Sequence, residues 1–237
     1  IPGKVNNLEE GCFRGMPKLN DFVVFPDNKL YAYQNNVLLS RSNENMEKYD
    51  NILCAKKNID TYQIPSSIKK ICVYAFENCT SLKTVTFEEN SQLLKISKKA
   101  FVSSALENFE VPLHVNTIGK KAFSGCKRLV GFTFVEGCEL LSIQKNAFFD
   151  STLTAVTIPS KVQMIGENAF KKCNNLKTLK FAEPSSLRSI DKYAFSESPI
   201  EEAVIPASVE IIHEGAFKQC PQLNSVEFTE DSELTSI

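Results

Sequence analysis

The sequence predicts a repeat solenoid, mainly β, whose coils alternate between 25 and 22 residues. Each coil carries one short parallel strand, and a β-hairpin insert lies near the N-terminus. Three observations predict this. Seven Ala-Phe pairs begin at Ala75, Ala100, Ala122, Ala147, Ala169, Ala194 and Ala216, so successive gaps run 25, 22, 25, 22, 25, 22 and the true period is 47. An isoleucine stands four residues before each alanine, from Ile71 to Ile212. A second track repeats in phase, as in Leu82-x-x-Val85-x-Phe87, Leu129-x-x-Phe132-x-Phe134 and Leu153-x-x-Val156-x-Ile158. Fixed self-similarity of this length marks a stack whose units pack only on their neighbours.

The elements follow in chain order. Residues 1–25 read as one degenerate unit, with Cys12-Phe13 in the Ala-Phe slot and Leu19-x-x-Phe22-x-Val24 in the strand slot. Residues 26–58 break the rhythm. Lys29 to Tyr33, then Gln34-Asn35-Asn36, then Val37-Leu38-Leu39 read as a β-hairpin, because asparagine tolerates the positive φ of tight turns. Residues 59–237 are regular coils. In each coil the apolar residues of the second track alternate with Thr, Glu or Lys, the period-2 pattern of a half-buried strand. On alternate coils Pro65, Pro112, Pro159 or Pro206 ends the strand, where a missing N–H does least harm to a ladder. Phe76 to Phe217 are expected to stack as an aromatic spine, each ring contributing about 1.5–3 kcal/mol by burial. The connecting segments are too short for long helices and read as turns.

Composition excludes several function classes. With 27 basic and 28 acidic residues there is no global attraction for nucleic acid or an anionic membrane. No apolar run approaches the ~20 residues of a membrane span. The chain opens on Ile1-Pro2, like the Ile64-Pro65 start of later units, and closes on Ile237 where another Ala-Phe is due, so it reads as a piece of a longer array. Cys79, Cys126, Cys173 and Cys220 recur every 47 residues, with Ser104, Ser151 and Ser198 in the same slot between them. Neighbouring thiols then lie two coils apart, about 9–10 Å, beyond the ~7 Å Cα separation that a disulfide spans. They read as small, half-polar interior residues that satisfy backbone groups at a corner. Cys54 with Cys72 is the one pairing left open, since the path of the insert is not fixed by the repeat. Free thiols hint at a reduced compartment, but buried thiols survive outside cells too.

The unit resembles the BspA-like leucine-rich repeat family, whose pattern is matched by Ile158-Pro159-x-x-Val162-x-x-Ile165-Gly166-x-x-Ala169-Phe170-x-x-Cys173-x-x-Leu176-x-x-Leu179. The match covers residues 59–237 fully and 1–25 weakly. The chain is similar to protist and bacterial members of the surface or adhesin type. The resemblance implies a non-catalytic module, on the cell surface or secreted, that binds host matrix or cell-surface proteins. An intracellular scaffold using the same coils is the alternative.

No catalytic or metal constellation is legible. His114 and His213 fall about 20 Å apart along the stack. The acidic track Glu88-Glu89, Glu136, Glu183 and Glu230-Asp231 recurs only every second coil, too sparse for calcium ligands that must converge at about 2.3–2.6 Å. Lys98-Lys99, Lys120-Lys121 and Lys145 form a short basic track, read as a solvated face or a patch for an anionic partner. Asn78-Cys79-Thr80 is a formal glycosylation sequon whose central cysteine is expected to be buried. No cofactor is implied. The expected binding surface is the strand face, with Thr84, Thr86, Asn108, Glu110, Thr133, Thr157, Thr178, Lys180, Glu202 and Glu227 pointing outward. Tyr31 and Tyr33 of the insert are candidates for an aromatic contact, which interfaces favour, or for packing the hairpin. The expected partner is a protein; the oligomeric state is left open.

Overall fold

A computed structural model describes residues 1–19 and 21–237, with no helix among them. Four-residue strands recur once per coil: β4 (Thr61–Ile64), β6 (Thr84–Phe87), β8 (Asn108–Val111), β10 (Gly131–Phe134), β12 (Ala155–Ile158), β14 (Thr178–Phe181), β16 (Glu202–Ile205) and β18 (Ser225–Phe228). All pair in parallel, and their inward residues Val85, Phe109, Phe132, Val156, Leu179 and Ala203 are buried.

Each isoleucine forms a second, two-residue strand of its own. These are β5 (Lys70–Ile71), β7 (Lys95–Ile96), β9 (Thr117–Ile118), β11 (Ser142–Ile143), β13 (Met164–Ile165), β15 (Ser189–Ile190) and β17 (Ile211–Ile212). They join in one parallel ladder in which Ile71, Ile96, Ile118, Ile143, Ile165, Ile190 and Ile212 stand in register. Two residues are too few for period-2 alternation to show, which is why the pattern of apolar residues marks only the longer strand.

The Ala-Phe corner carries a third set of inter-coil bonds. The Phe76 N–H donates to the Ala100 carbonyl at 2.7 Å, Phe101 to Ala122 at 2.8 Å and Phe123 to Ala147 at 2.8 Å. To present these groups the chain enters the left-handed region twice per coil, just before the alanine and two residues after the phenylalanine. Lys99 (φ 56°), Asn146 (58°) and Tyr193 (57°) fill the first position; Ser103 (55°), Asp150 (60°) and Lys172 (60°) fill the second. Non-glycine residues pay about 1–2 kcal/mol for this conformation, and stacking sustains it. Close approach sets another slot: a Cβ on Gly119 would lie 2.7 Å from Ser97 C and 2.8 Å from Ile96 O.

The core is continuous from coil to coil. Phe76, Phe101, Phe123, Phe148, Phe170 and Phe195 are fully buried. Successive rings, through to Phe217, stack at 4.9, 5.2, 5.4, 5.0, 5.3 and 5.3 Å, with planes within 11° of parallel. Phe109 and Phe132 add edge contacts to the spine.

The N-terminal region differs from a further coil. β1 (Tyr31–Gln34) and β2 (Val37–Ser40) form an antiparallel hairpin over Asn35 and Asn36, both at positive φ (51° and 65°). β3 (Asn51–Ala55) pairs with β2 on one side and with β5 on the other, placing Ile52 beside Ile71 at the head of the isoleucine column. The hairpin therefore extends the short-strand sheet. The turns of residues 1–19 still copy a coil: Val5 N–H to Pro2 O and Cys12 N–H to Glu9 O repeat Ile68 to Pro65 and Ala75 to Cys72. Yet Phe13 does not join the spine, and residues 21–25 form no strand. Because β3 and Ala55, whose N–H donates to Ala75, already occupy the edge beside Phe76, Phe13 packs with Phe22 at 4.8 Å in a separate small cluster around Tyr31, Leu38 and Cys54. Glu10 ties this unit to the stack through the Lys70 ammonium and the Val73 N–H.

Candidate binding face

Alternation along the four-residue strands places two side chains per coil outside. Register aligns Thr84, Asn108 and Gly131 in one column and Glu110 with Thr133 in the next. Beyond them, Thr178 pairs with both Ala155 and Glu202, Thr157 with Lys180, and Val204 with Glu227. Thr84, Thr86, Asn108, Glu110, Thr133, Thr157, Thr178, Lys180, Glu202 and Glu227 are all exposed. The face thus brings all ten strand candidates together as two columns. The insert tyrosines separate. Tyr31 is 6% exposed and packs against Leu38 and Cys54, so its ring is core rather than contact surface. Tyr33 is half-buried, 5.4 Å from the Phe22 ring, with its hydroxyl 3.5 Å from Asp21.

Two features of this face are not evident from alternation. The ladder divides into β4–β6–β8–β10 and β12–β14–β16–β18, with no ladder pair between β10 and β12. Pairing thins wherever the corner is one residue short, at Ser104-x-Leu106, Ser151-x-Leu153 and Ser198-x-Ile200 in place of Cys-x-x-Leu: β6–β8 and β14–β16 keep one Cα pair each, and β10–β12 none. The strand rim is also corrugated. Seven residues link long to short strand on coils 88–94 and 135–141, but only five on 112–116 and 159–163. The short links leave clefts. One, about 560 Å³, is lined by Phe87, Glu88, Glu110, Pro112, Leu113, Val135 and Glu136 among others. Its neighbour, about 530 Å³, shares Val135 and Glu136 and continues over Phe134 and Pro159.

The remaining polar groups are structural in their contacts. All eight cysteines are free, Cys54 and Cys72 included. Cys126, Cys173 and Cys220 donate from sulfur to the carbonyls of Phe101, Phe148 and Phe195 at 3.1–3.2 Å. Ser198 makes the equivalent bond to Phe170 at 2.7 Å. Burial pushes the Cys79 and Cys173 thiols up to about 12 and Cys126 up to about 11, which makes them poor nucleophiles. His114 lies 3.1 Å from Glu139 and His213 3.7 Å from Asp191. Lys145 is ion-paired with Glu167, which breaks up the basic track. In the sequon, Cys79 is buried while Asn78 and Thr80 are exposed. Among the described residues no three His, Cys, Asp or Glu side chains converge on a common point, and no helix is long and apolar enough to cross a membrane.

The family model for the BspA-type leucine-rich repeat region matches residues 47–154 and 141–237, in six copies. The chain belongs to this family. Several solved structures share the architecture. A leucine-rich repeat protein from Eubacterium ventriosum superposes with a TM-score of 0.78 at 23% identity, over 92% of this chain and 57% of its own. The pneumococcal vaccine antigen PcpA gives 0.61 at 21% identity, over 86% and 71%. A leucine-rich repeat protein from Bacteroides ovatus gives 0.59 at 22% identity, over 90% and 54%. At these identities the likeness shows the fold, and this chain spans little more than half of two of the three. No curated protein matches the sequence significantly.

Proposed function

We propose that this chain is a non-catalytic, protein-binding module of a cell-surface or secreted adhesin, whose ligand is a host matrix or cell-surface protein. The observation that carries the reading is the strand face, two columns of exposed side chains held on two consecutive parallel ladders. Such a surface offers an extended contact area at little ordering cost. Thr84, Thr86, Asn108, Glu110, Thr133, Thr157, Thr178, Lys180, Glu202 and Glu227 are its proposed contacts. The antigen status of PcpA supports the surface location. Eight unpaired thiols are the observation on the side of the alternative, an intracellular scaffold.

The test is binding of the labelled chain to host cells and to immobilised matrix proteins, beside a Thr133→Arg/Thr157→Arg variant that crowds the facing edges of the two sheets, midway along the stack. Saturable binding lost in the variant supports the proposal. Binding no stronger than that of a charge-matched control protein sinks it.

A further inference from the structure

Resting on the reading of this chain as a protein-binding module, we infer that the corrugated rim is a docking groove for a basic, proline-rich segment in the polyproline II conformation. The argument starts from the 47-residue period. Because seven-residue links alternate with five-residue ones, every second coil is recessed between taller neighbours. Pro112 floors one recess and Pro159 the next. They are separated by two coils, about 9.6 Å at 4.8 Å per strand. A polyproline II helix rises 3.1 Å per residue with three residues per turn, so equivalent side chains repeat every ~9.3 Å. A β-strand presents equivalent side chains every ~6.7 Å and does not match this spacing.

The lining agrees with the spacing. Phe87 and Phe134 stand half-exposed at strand ends two coils apart, and Leu113 is 40% exposed between them. Grooves for proline-rich segments are walled by aromatic rings in this way. Glu88, Glu110 and Glu136 surround the first recess, and none has a cationic partner within 4.0 Å among the described residues. The Glu88 carboxylate accepts the Ser66 N–H at 2.8 Å, which holds it at the rim. A ligand with arginine or lysine every third residue sets one cation against Glu88 and Glu110 of the first recess and the next against Glu136, which lines both, while its prolines cover the apolar floor. Preformed polyproline II loses little entropy on docking.

Fluorescence anisotropy of the whole chain with a labelled peptide of repeating Pro-Pro-Arg tests this directly. Repeating Gly-Ser-Arg, with the same charge and no preformed helix, and repeating Pro-Pro-Glu are the comparison probes. Pro-Pro-Arg is expected to bind at least about tenfold tighter than Gly-Ser-Arg, with Pro-Pro-Glu silent. Glu136→Lys and Leu113→Asp, both at exposed positions and checked for unchanged melting, should each weaken the complex by about tenfold or more. Equal affinity for the two cationic peptides, or indifference to both substitutions, overturns the inference. If the matrix-protein binding described above survives while Pro-Pro-Arg does not bind, the groove is refuted and the strand-face reading stands. If both fail, both fall.

Discussion

Truncating Phe148 to alanine removes the central ring of the spine that runs from Phe76 to Phe217. It stacks on Phe123 at 5.4 Å and Phe170 at 5.0 Å, and meets the Phe132 edge at 4.6 Å. Loss of a fully buried phenylalanine costs about 3–5 kcal/mol, and three aromatic pairs at about 0.5–1.5 kcal/mol each place this site at the upper end. Phe217, by contrast, is half-buried and stacks on Phe195 alone, at 5.3 Å. Two fewer pairs and partial exposure put Phe217→Ala about 2–3 kcal/mol below Phe148→Ala. The pair of variants should be compared by urea unfolding followed by far-UV circular dichroism. At about 2–4 °C per kcal/mol for a chain of this size, Phe148→Ala should lower the melting temperature by about 10–20 °C. If the two variants lose stability equally, or if Phe148→Ala stays within about 1 kcal/mol of the parent, the spine is not the structural axis argued above.

Other perturbations probe the corners and the N-terminal tie. Ser198→Ala, which strips the 2.7 Å bond to the Phe170 carbonyl, should cost about 1–2 kcal/mol, whereas Ser198→Cys, copying the neighbouring slots, should cost measurably less in the same denaturation assay. At Ser103 (φ 55°), glycine should be neutral to stabilising by up to about 1 kcal/mol and valine destabilising by about 1–2 kcal/mol; the opposite order in calorimetry would contradict the left-handed assignment. Burial by itself raises the Glu10 carboxyl, but the Lys70 ammonium and the Val73 N–H more than offset this and hold it below its ordinary value of 4.5. Its contribution is therefore complete above about pH 4.5 and lost as pH falls through the lowered folded value. Hydrogen-exchange protection of residues 1–19, relative to the intrinsic rate at each pH, should fall on acidification below 4.5, and Glu10→Gln should remove that pH dependence. An unchanged profile in Glu10→Gln would assign the acid response elsewhere.

Much of this fold can be read from residue spacing because a solenoid turns sequence distance into vertical position. Phe76 through Phe217 became a stack, and the Asn35-Asn36 turn closed the hairpin, for reasons visible in the chain. What escaped sequence reasoning has physical causes. Left-handed corners at Lys99, Tyr193 and Lys172 carry no glycine to announce them, since inter-coil bonds hold them there. Tyr31 is open from sequence to either aromatic contact or hairpin packing, and residues 1–19 fold back and bury it. The ten outward strand residues needed only alternation. The recesses beside them needed the difference between a seven-residue and a five-residue link, present as the 25/22 gap but with no sign in one dimension of which side would be indented.

The alternation of cysteine and serine along the corner constrains how such an array can change its size. Adding or deleting 47 residues preserves every neighbour relation, whereas losing a single serine-bearing coil would set two thiols on adjacent turns, about 4.8 Å apart and inside disulfide range. Each serine thus works as an insulator between thiol-bearing rungs, and the array tolerates the loss of a cysteine coil in this respect but not of a serine coil.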